Sequence, residues 1–367
     1  MMSNYIEDWL SELAFKAYLE ARKNKRGTQD EQRFEKDVPV NIALLVRDII
    51  NRTYKPSRGI AFIIEDPVKR EIFAAPFRDR VVHHILHNLN SPWWEKRFIY
   101  DNYSCRVGKG TLFGIKRLQH HIMSVSENGQ KEAYCLKLDL QGYFMSLSRA
   151  RLYERVLWGL ERQFELNSKE FALCNFLWKQ IIFDDPTQGV NRKDKISLWK
   201  DLPKNKSLFH SPPGHGIVIG NLTSQLLSNI YLDLLDRFAT FDLGFKNYGR
   251  YVDDFYIVHK NREVLANSID KFAKFLDDLE LVLHPKKRYL QEVSNGVDFL
   301  GAVVYPFRLQ VGKRLKKKLP RVIPYANDAQ LISYKGHTKH FKDKKLWAVL
   351  EKQRYKKLGV VKEDYKK

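Results

Sequence analysis

Residues 244–260 read GFKNYGRYVDDFYIVHK, and the rest of the chain is organised around them. Two adjacent carboxylates, Asp253 and Asp254, stand between the apolar runs Tyr251–Val252 and Phe255–Val258, the pattern of a strand, a tight acidic turn and a second strand. Burying two unpaired like charges would cost several kcal/mol, on the order of an ion's desolvation penalty. The pair is therefore solvated at the turn or neutralised by a cation, and oxygen ligands of this kind suit Mg²⁺. An acidic pair alone is also an ordinary turn. A second acidic strand end lies upstream in AYCLKLDLQGYFMSL (133–147), where Asp139 follows Leu136, Lys137 and Leu138; spacing alone does not bring the two together.

At 367 residues the chain has the length of two or three domains or subdomains. With 44% hydrophobic and 13% aromatic residues it can build a core, and 64 Lys and Arg against 43 Asp and Glu leave a formal charge of +21. Such an excess favours a polyanionic partner, nucleic acid first and an anionic membrane surface second. No apolar run approaches the roughly 18 residues of a membrane crossing, and MMSNYIEDWLSELAF lacks a basic leader, so no span or secretion signal is expected. Cys105, Cys135 and Cys174 have neither zinc nor redox spacing and fit a reducing cytoplasm.

Residues 5–22 carry a helical stripe of Trp9, Leu13, Ala17 and of Leu10, Ala14, Tyr18, and residues 23–36 read as an exposed connection. A helix is expected over 41–54, stopped by Pro56, Ser57 and Gly59 before a strand at 61–65; Arg70–Ala74 returns as a hairpin limb, with a helix from about Asp79. Lys69, Arg70, Arg78 and Arg80 read equally as polyphosphate contacts or as a solvated face. No acid or cysteine completes a zinc set around His83, His84 and His87, and Pro92, Trp93 and Trp94 form an aromatic lump suited to a core. Arg106, Gly108, Lys109 and Gly110 precede a helix starting near Thr111, where a phosphate can be received or the glycines simply make the turn; the Walker ending is missing.

Two further helices follow over 147–160 and 168–183. Residues 183–213 combine prolines, charge and little periodicity, an ordered excursion or a mobile loop rather than a domain. Gly214, Gly216 and Gly220 permit close backbone approach, or simply turn the chain, before a helix with Leu222, Leu226, Ile230 and Leu234 toward the core. A helix after Asp254 leads to strands in KKRYLQEV and GVDFLGAVVYPFRLQV around a turn at Asn295 and Gly296. Helices with antiparallel strands indicate an α+β platform rather than a doubly wound sheet. Lys313, Arg314, Lys316, Lys317, Lys318 and Arg321 then form a dense basic segment, followed by a polar connection and a terminal helix in HFKDKKLWAVLEKQRYKKLGV; positive charge spaced on helices either follows a phosphate backbone without reading bases or forms a solubilising face.

The ordered runs LKLDLQGYFMSL, GIVIGNLTSQLLSNIYLDLLD, YVDDF and VDFLG resemble the motifs of a reverse transcriptase related to those of group II introns. More narrowly, IGNLTSQ together with REIFAAPFRDRVVHH and DNYSCRVGKGT resembles the bacterial and phage enzymes of diversity-generating retroelements, over about residues 55–310. The resemblance implies a right-hand polymerase fold with fingers, a palm on an antiparallel sheet, and a helical thumb. Its bounds here are an N-terminal helical extension at 1–55, fingers and the start of the palm at 56–132, palm at 133–310 with fingers-derived helices and the 183–213 excursion, and a basic thumb at 311–367.

It further implies RNA-directed DNA synthesis that copies a template-repeat RNA into adenine-mutagenised cDNA. Asp139 and Asp253 are then the principal ligands of two Mg²⁺ ions, or Mn²⁺ in their place, with Asp254 more peripheral. Arg70 matches the family's incoming-triphosphate arginine, beside Lys69. Phe144, five residues after Asp139, matches the aromatic gate against a 2′-hydroxyl, the alternative being that it only packs the palm, and Tyr143 points elsewhere if the segment is extended. IGNLTSQ departs from the broader family by placing Ile219 where a glutamine stands, before Gly220, and Gln225 at a proline position. An isoleucine offers shape but no hydrogen bond near the nucleotide, which lowers discrimination against mispairs. The partners implied are template RNA, a primer or RNA–cDNA hybrid, dNTPs and a small basic accessory protein, in an oligomeric assembly, with no membrane. An antiviral polymerase and an inactive nucleic-acid-binding scaffold are the alternatives; a scaffold has no need of the three aspartates.

Overall fold

The computed structural model describes residues 2–23, 27–66, 68–341 and 344–358. Its strands are β1 (Ile60–Ile64), β2 (Arg70–Ala74), β3 (Tyr134–Leu140), β4 (Asn191–Arg192), β5 (Tyr248–Tyr251), β6 (Asp254–His259), β7 (Leu283–Glu292), β8 (Val297–Phe299), β9 (Ala302–Val304) and β10 (Leu309–Val311). Helices and largely antiparallel sheets make this an α+β chain, as expected. It divides into two compact units.

The first unit comprises Met1–Tyr100, Leu140–Asp242 and Phe272–His284. Helix Met2–Ala21 packs on Phe77–Glu95. The stripe of Leu10, Ala14 and Tyr18 is buried throughout, whereas of the other only Ala17 is; Trp9 and Leu13 remain half-buried, because a helix buries only the face set against its neighbour. Helix Val38–Ile50 starts at Asp37, whose carboxylate accepts from Val40 N, with a proline in its first turn. The 23–36 stretch is not all connection: Thr28 caps a helix at Gln29–Glu35, and residues 24–26 lie outside the described residues.

β1 and β2 form the expected hairpin, in register from Ile60↔Ala74 to Ile64↔Arg70. β4, from the 183–213 excursion, adds to it in parallel at Ile60↔Asn191 and Ala61↔Arg192. The excursion is ordered by short helical turns and buries Leu202, Ser207 and Leu208. Helix Leu222–Arg237 is buried on more sides than one stripe allows. Leu226 and Ile230 are inside as expected, but so are Thr223, Leu227, Asp233 and Leu235, while Leu222 and Leu234 are only partly covered.

The second unit comprises Asp101–Asp139, Leu243–Lys271 and Pro285–Lys367. Its four-stranded sheet has the order β5-β6-β3-β7. β5 and β6 are the two limbs of the acidic hairpin, paired from Tyr248↔Ile257 to Tyr251↔Asp254, and β3 runs antiparallel to β6. Alternate residues Cys135, Tyr256 and Val258 line one face and join Ile115, Leu118 and Ile122 of helix Thr111–Val125 in a core shared with Phe299, Ala302 and Val304. A second sheet, β10-β9-β8, follows the turn at Gly296, which sits at φ 77°. The basic stretch forms helix Lys313–Val322, held through buried Leu319. The polar connection after it is in part a helix, Asp328–Thr338, whose N-terminus is closed by reciprocal bonds between Asn327 and Gln330. The terminal helix is Lys344–Leu358; residues 342–343 and 359–367 lie outside the described residues. Among the described residues no helix is long and apolar enough to cross a membrane.

Candidate active site

The antiparallel register sets Asp139 directly opposite Asp254, and Asp253 occupies the turn beside it. The turn is tight enough to put Val252 at φ 56°, a left-handed conformation that costs a β-branched residue on the order of 1–3 kcal/mol. Two side chains hold it there. Arg250, fully buried, donates from Nη1 to the Val252 carbonyl at 2.9 Å, and the Ser104 hydroxyl accepts from Val252 N at 3.2 Å. The segment is pinned further by Tyr103 N donating to Arg250 O and Arg250 N to Asp101 O, each at 2.9 Å.

Behind the hairpin, Asp101 receives Arg117 through Nε at 2.7 Å and Nη2 at 2.9 Å, and the Tyr103 hydroxyl at 2.9 Å. Bonds from His121 and Arg117, outweighing burial, hold its carboxyl far below the usual range. Tyr103 and Tyr256 hydroxyls meet at 2.8 Å. This is a support for the strand, paired internally, rather than a reactive group. The glycine stretch 106–110 begins two residues after Ser104, so the loop considered for a phosphate is joined to the acidic turn; Arg106 Nη1 donates to Asn102 O at 3.1 Å.

The carboxylates carry counter-charges from two lysines that the sequence did not single out. Lys287 Nζ is 2.9 Å from Asp139 Oδ2. Lys137 Nζ donates to Asp298 O at 2.9 Å and lies 4.0 Å from Asp254 Oδ2. Asp254 Oδ1 is buried, with no hydrogen-bond partner among the described residues. Burial pushes the Asp254 carboxyl up to about 7, opposed by Lys137 and reinforced by the charges of Asp139 and Asp253. Among the described residues no three His, Cys, Asp or Glu side chains close into a ready metal cage. The donor set nevertheless fits a hard divalent cation: an orphaned buried carboxylate oxygen, two acids close enough to repel it, and neighbouring ammonium groups taking up part of the charge. Both lysines are legible in the sequence only as strand residues, because β3 meets β6 on one side and β7 on the other only in the sheet.

The other candidate residues belong to the first unit. Arg70, at the start of β2, is exposed and pairs with Ile64 through its backbone, while its side chain makes no hydrogen bond or ion pair with a described residue; Lys69 Nζ is 3.8 Å from Asp201. Phe144 and Ile219 pack together against the cluster of Ala61, Phe73, Met145 and Leu208. Phe144 lies in one helical turn, Tyr143–Ser146, not in extended chain. Tyr143 does point elsewhere, but because of that turn: it is buried and donates to Ser228 O at 2.9 Å. Ile219 O accepts from Phe73 N at 3.0 Å. Gly220 has φ 134°, and a Cβ there would lie 2.5 Å from Phe73 O, so glycine is required where the chain crosses the hairpin. Gln225 is exposed on the following helix and is not part of this cluster. His83 is buried and shares a 2.8 Å hydrogen bond with Thr223 Oγ1, whereas His84 faces Glu20 at 3.5 Å; the histidines diverge into packing roles.

Residues 69–304 match the family described as reverse transcriptase (RNA-dependent DNA polymerase). No curated protein matches the chain in sequence. Among solved structures, it is similar to telomerase from Candida albicans in complex with a TWJ fragment of telomeric RNA, with a TM-score of 0.51 and 12% identity over 84% of this chain and 55% of that one. Telomerase from Candida tropicalis with the same kind of fragment gives 0.50 and 12%, over 83% and 54%. The chain thus spans about half the length of these structures, and at such identity the likeness is one of fold.

Proposed function

Because the chain belongs to the reverse transcriptase (RNA-dependent DNA polymerase) family, we propose that it extends a primer with dNTPs on an RNA template, using Asp139, Asp253 and Asp254 as its catalytic carboxylates. The observation that carries this reading is the register Asp139↔Asp254, with Asp253 adjacent and one buried Asp254 oxygen unpartnered. The three acids would hold Mg²⁺, or Mn²⁺ in its place; when bound, the ions supply Lewis-acid stabilisation of the attacking and leaving oxygens in phosphoryl transfer. Arg250 and Ser104 keep the strained turn in place so that the carboxylates remain converged. Arg70 and Lys69 are assigned to the triphosphate, where a guanidinium gives paired charge-assisted bonds.

In this reading the β1–β2 hairpin and its helices form fingers, the sheet bearing the aspartates forms the palm, and the basic helices from residue 311 form a thumb that follows the nucleic-acid backbone. The narrower assignment is an enzyme of a diversity-generating retroelement, copying a template-repeat RNA with errors at adenines and working with a small basic accessory protein. Phe144 gates the sugar, and Ile219 relaxes base discrimination by offering shape where a hydrogen-bonding side chain would stand. The exposure of Gln225 gives it no comparable support.

The test is primer extension by purified protein on matched RNA and DNA templates with dNTPs or rNTPs, sequencing the products. cDNA from RNA, lost in Asp253→Asn, is expected; wild-type rates in that variant would overturn the catalytic assignment. Ile219→Gln should lower misincorporation at template adenine relative to the other bases, compared with Ile219→Val and Ile219→Ala. A folded, active Ile219→Gln enzyme with unchanged adenine errors would remove Ile219 from the fidelity reading.

A further inference from the structure

On the inner face of β2, next to Arg70, Glu71 is only 1% exposed and has no cationic partner among the described residues. Three donors from the 183–213 excursion meet its charge instead. Trp199 Nε1 at 2.7 Å and Ser207 Oγ at 2.9 Å donate to Oε1, and Leu208 N at 2.7 Å donates to Oε2. A buried carboxylate is tolerated only when its lone pairs are filled in this way. Asp194 strengthens the attachment by accepting from Ile63 N at 2.8 Å, and the Arg192 guanidinium lies 3.9 Å from the Phe209 ring centre. The segment so held delivers Trp199, Leu208 and Phe209 to the cluster against which Phe144 and Ile219 rest. It also approaches the start of the Phe144 turn so closely that a Cβ on Gly142 would lie 2.9 Å from Asn205 O.

We propose that Glu71 is a positioning residue for nucleotide selection: its buried carboxylate clamps residues 199–208 to the hairpin, and the clamped segment forms the wall that fixes Phe144 and Ile219. The inference rests on the reading of those two residues as selectivity determinants. Glutamine is no substitute, since its amide replaces an acceptor with a donor that would face donors. Loss of the clamp leaves the three aspartates intact and loosens the wall, so selectivity falls more than the capacity to extend.

The experiment uses full-length protein and compares Glu71→Gln, the double variant Trp199→Phe with Ser207→Ala, and Phe144→Ala. The readouts are the ratio of rNTP to dNTP incorporation and the rate of tryptic cleavage between Lys193 and Lys206 without nucleotide. The ratio is internal to one preparation, so a smaller folded fraction does not move it. Both clamp variants should raise rNTP use about fivefold or more relative to dNTP and accelerate cleavage. A ratio unchanged in the clamp variants while Phe144→Ala raises it overturns the clamp and leaves the gate standing; no response to Phe144→Ala overturns the gate, and the clamp with it. If Glu71→Gln does not fold, the double variant decides, because it leaves β2 untouched.

Discussion

The Lys287 ammonium sits 2.9 Å from Asp139 Oδ2 although 148 positions separate the two residues in the chain. It lies on a carboxylate assigned to metal binding, so it acts as a resident counter-ion that an arriving divalent cation must displace. The pair is partly exposed and worth about 1 kcal/mol or less. Lys287→Met should therefore tighten Mg²⁺ binding up to about fivefold, measured as the Mg²⁺ dependence of thermal stability without nucleotide. Weaker Mg²⁺ binding in that variant would show that the lysine supports the site rather than competing for it.

Asp254 stores unfavourable electrostatics. Its folded carboxyl is raised to about 7, first by burial, above the ordinary value of about 3.9. The folded protein thus binds the proton more tightly than the unfolded chain, and the stability linked to this group is lost as pH rises from about 4 to 7. In chelator at pH 8, Asp254→Asn should be more stable than wild type by about 2 kcal/mol, below the full linkage value because the carboxyl is partly open to solvent. The gain should shrink toward pH 5 in urea titrations, while primer extension falls. Lower stability at pH 8 would contradict the account.

His83 gives the opposite pH dependence. Burial pushes the imidazole down to about 3, so the unfolded chain takes up a proton near pH 6.5 that the folded chain refuses. Stability should fall on acidification from about pH 6.5 toward 3, by up to about 1.4 kcal/mol per pH unit. Between pH 6.5 and 5 that amounts to about 2 kcal/mol, and His83→Gln should remove it; equal slopes in the two proteins would rule out the buried neutral histidine.

Gly220 and Gly214 separate strain from collision. Both have positive φ, but a Cβ at Gly214 meets nothing within 4 Å, whereas at Gly220 it meets Phe73 O at 2.5 Å. Gly214→Ala should cost about 1 kcal/mol for conformation alone. Gly220→Ala should cost about 3 kcal/mol or more and disturb the bond from Phe73 N to Ile219 O. Thermal denaturation tests the order; equal losses would mean that the crossing relaxes freely.

Periodicity exposed most of the elements. The hairpins at Ile60–Ala74 and Tyr248–His259 and the helix at Thr111 were expected because burial repeats along each element and leaves its period in the sequence. Periodicity does not reveal the helices Gln29–Glu35 and Asp328–Thr338. They are short and polar and depend on caps, worth about 1 kcal/mol each, rather than on an apolar stripe. The single turn carrying Phe144, Tyr143–Ser146, is indistinguishable in sequence from extended chain because a four-residue segment is too short to show a period.

Sequence alone determined the acidic turn, the α+β alternation of elements, the basic C-terminal helices and the motifs of the polymerase family, since each is written in contiguous residues. Only the tertiary structure decided that Asp139 faces Asp254, that Lys137 and Lys287 attend them, that Arg250 and Ser104 hold Val252 in its strained turn, and that Glu71 fastens the excursion. The physical reason is that closing a chain loop costs free energy only as the logarithm of its length. Distant partners are thus nearly as accessible as close ones, and a polar contact worth about 1 kcal/mol leaves no periodic trace. Lys287 and Trp199 reach their carboxylates across 148 and 128 positions because packed strands and helices bring them there, not because any local pattern names the partner.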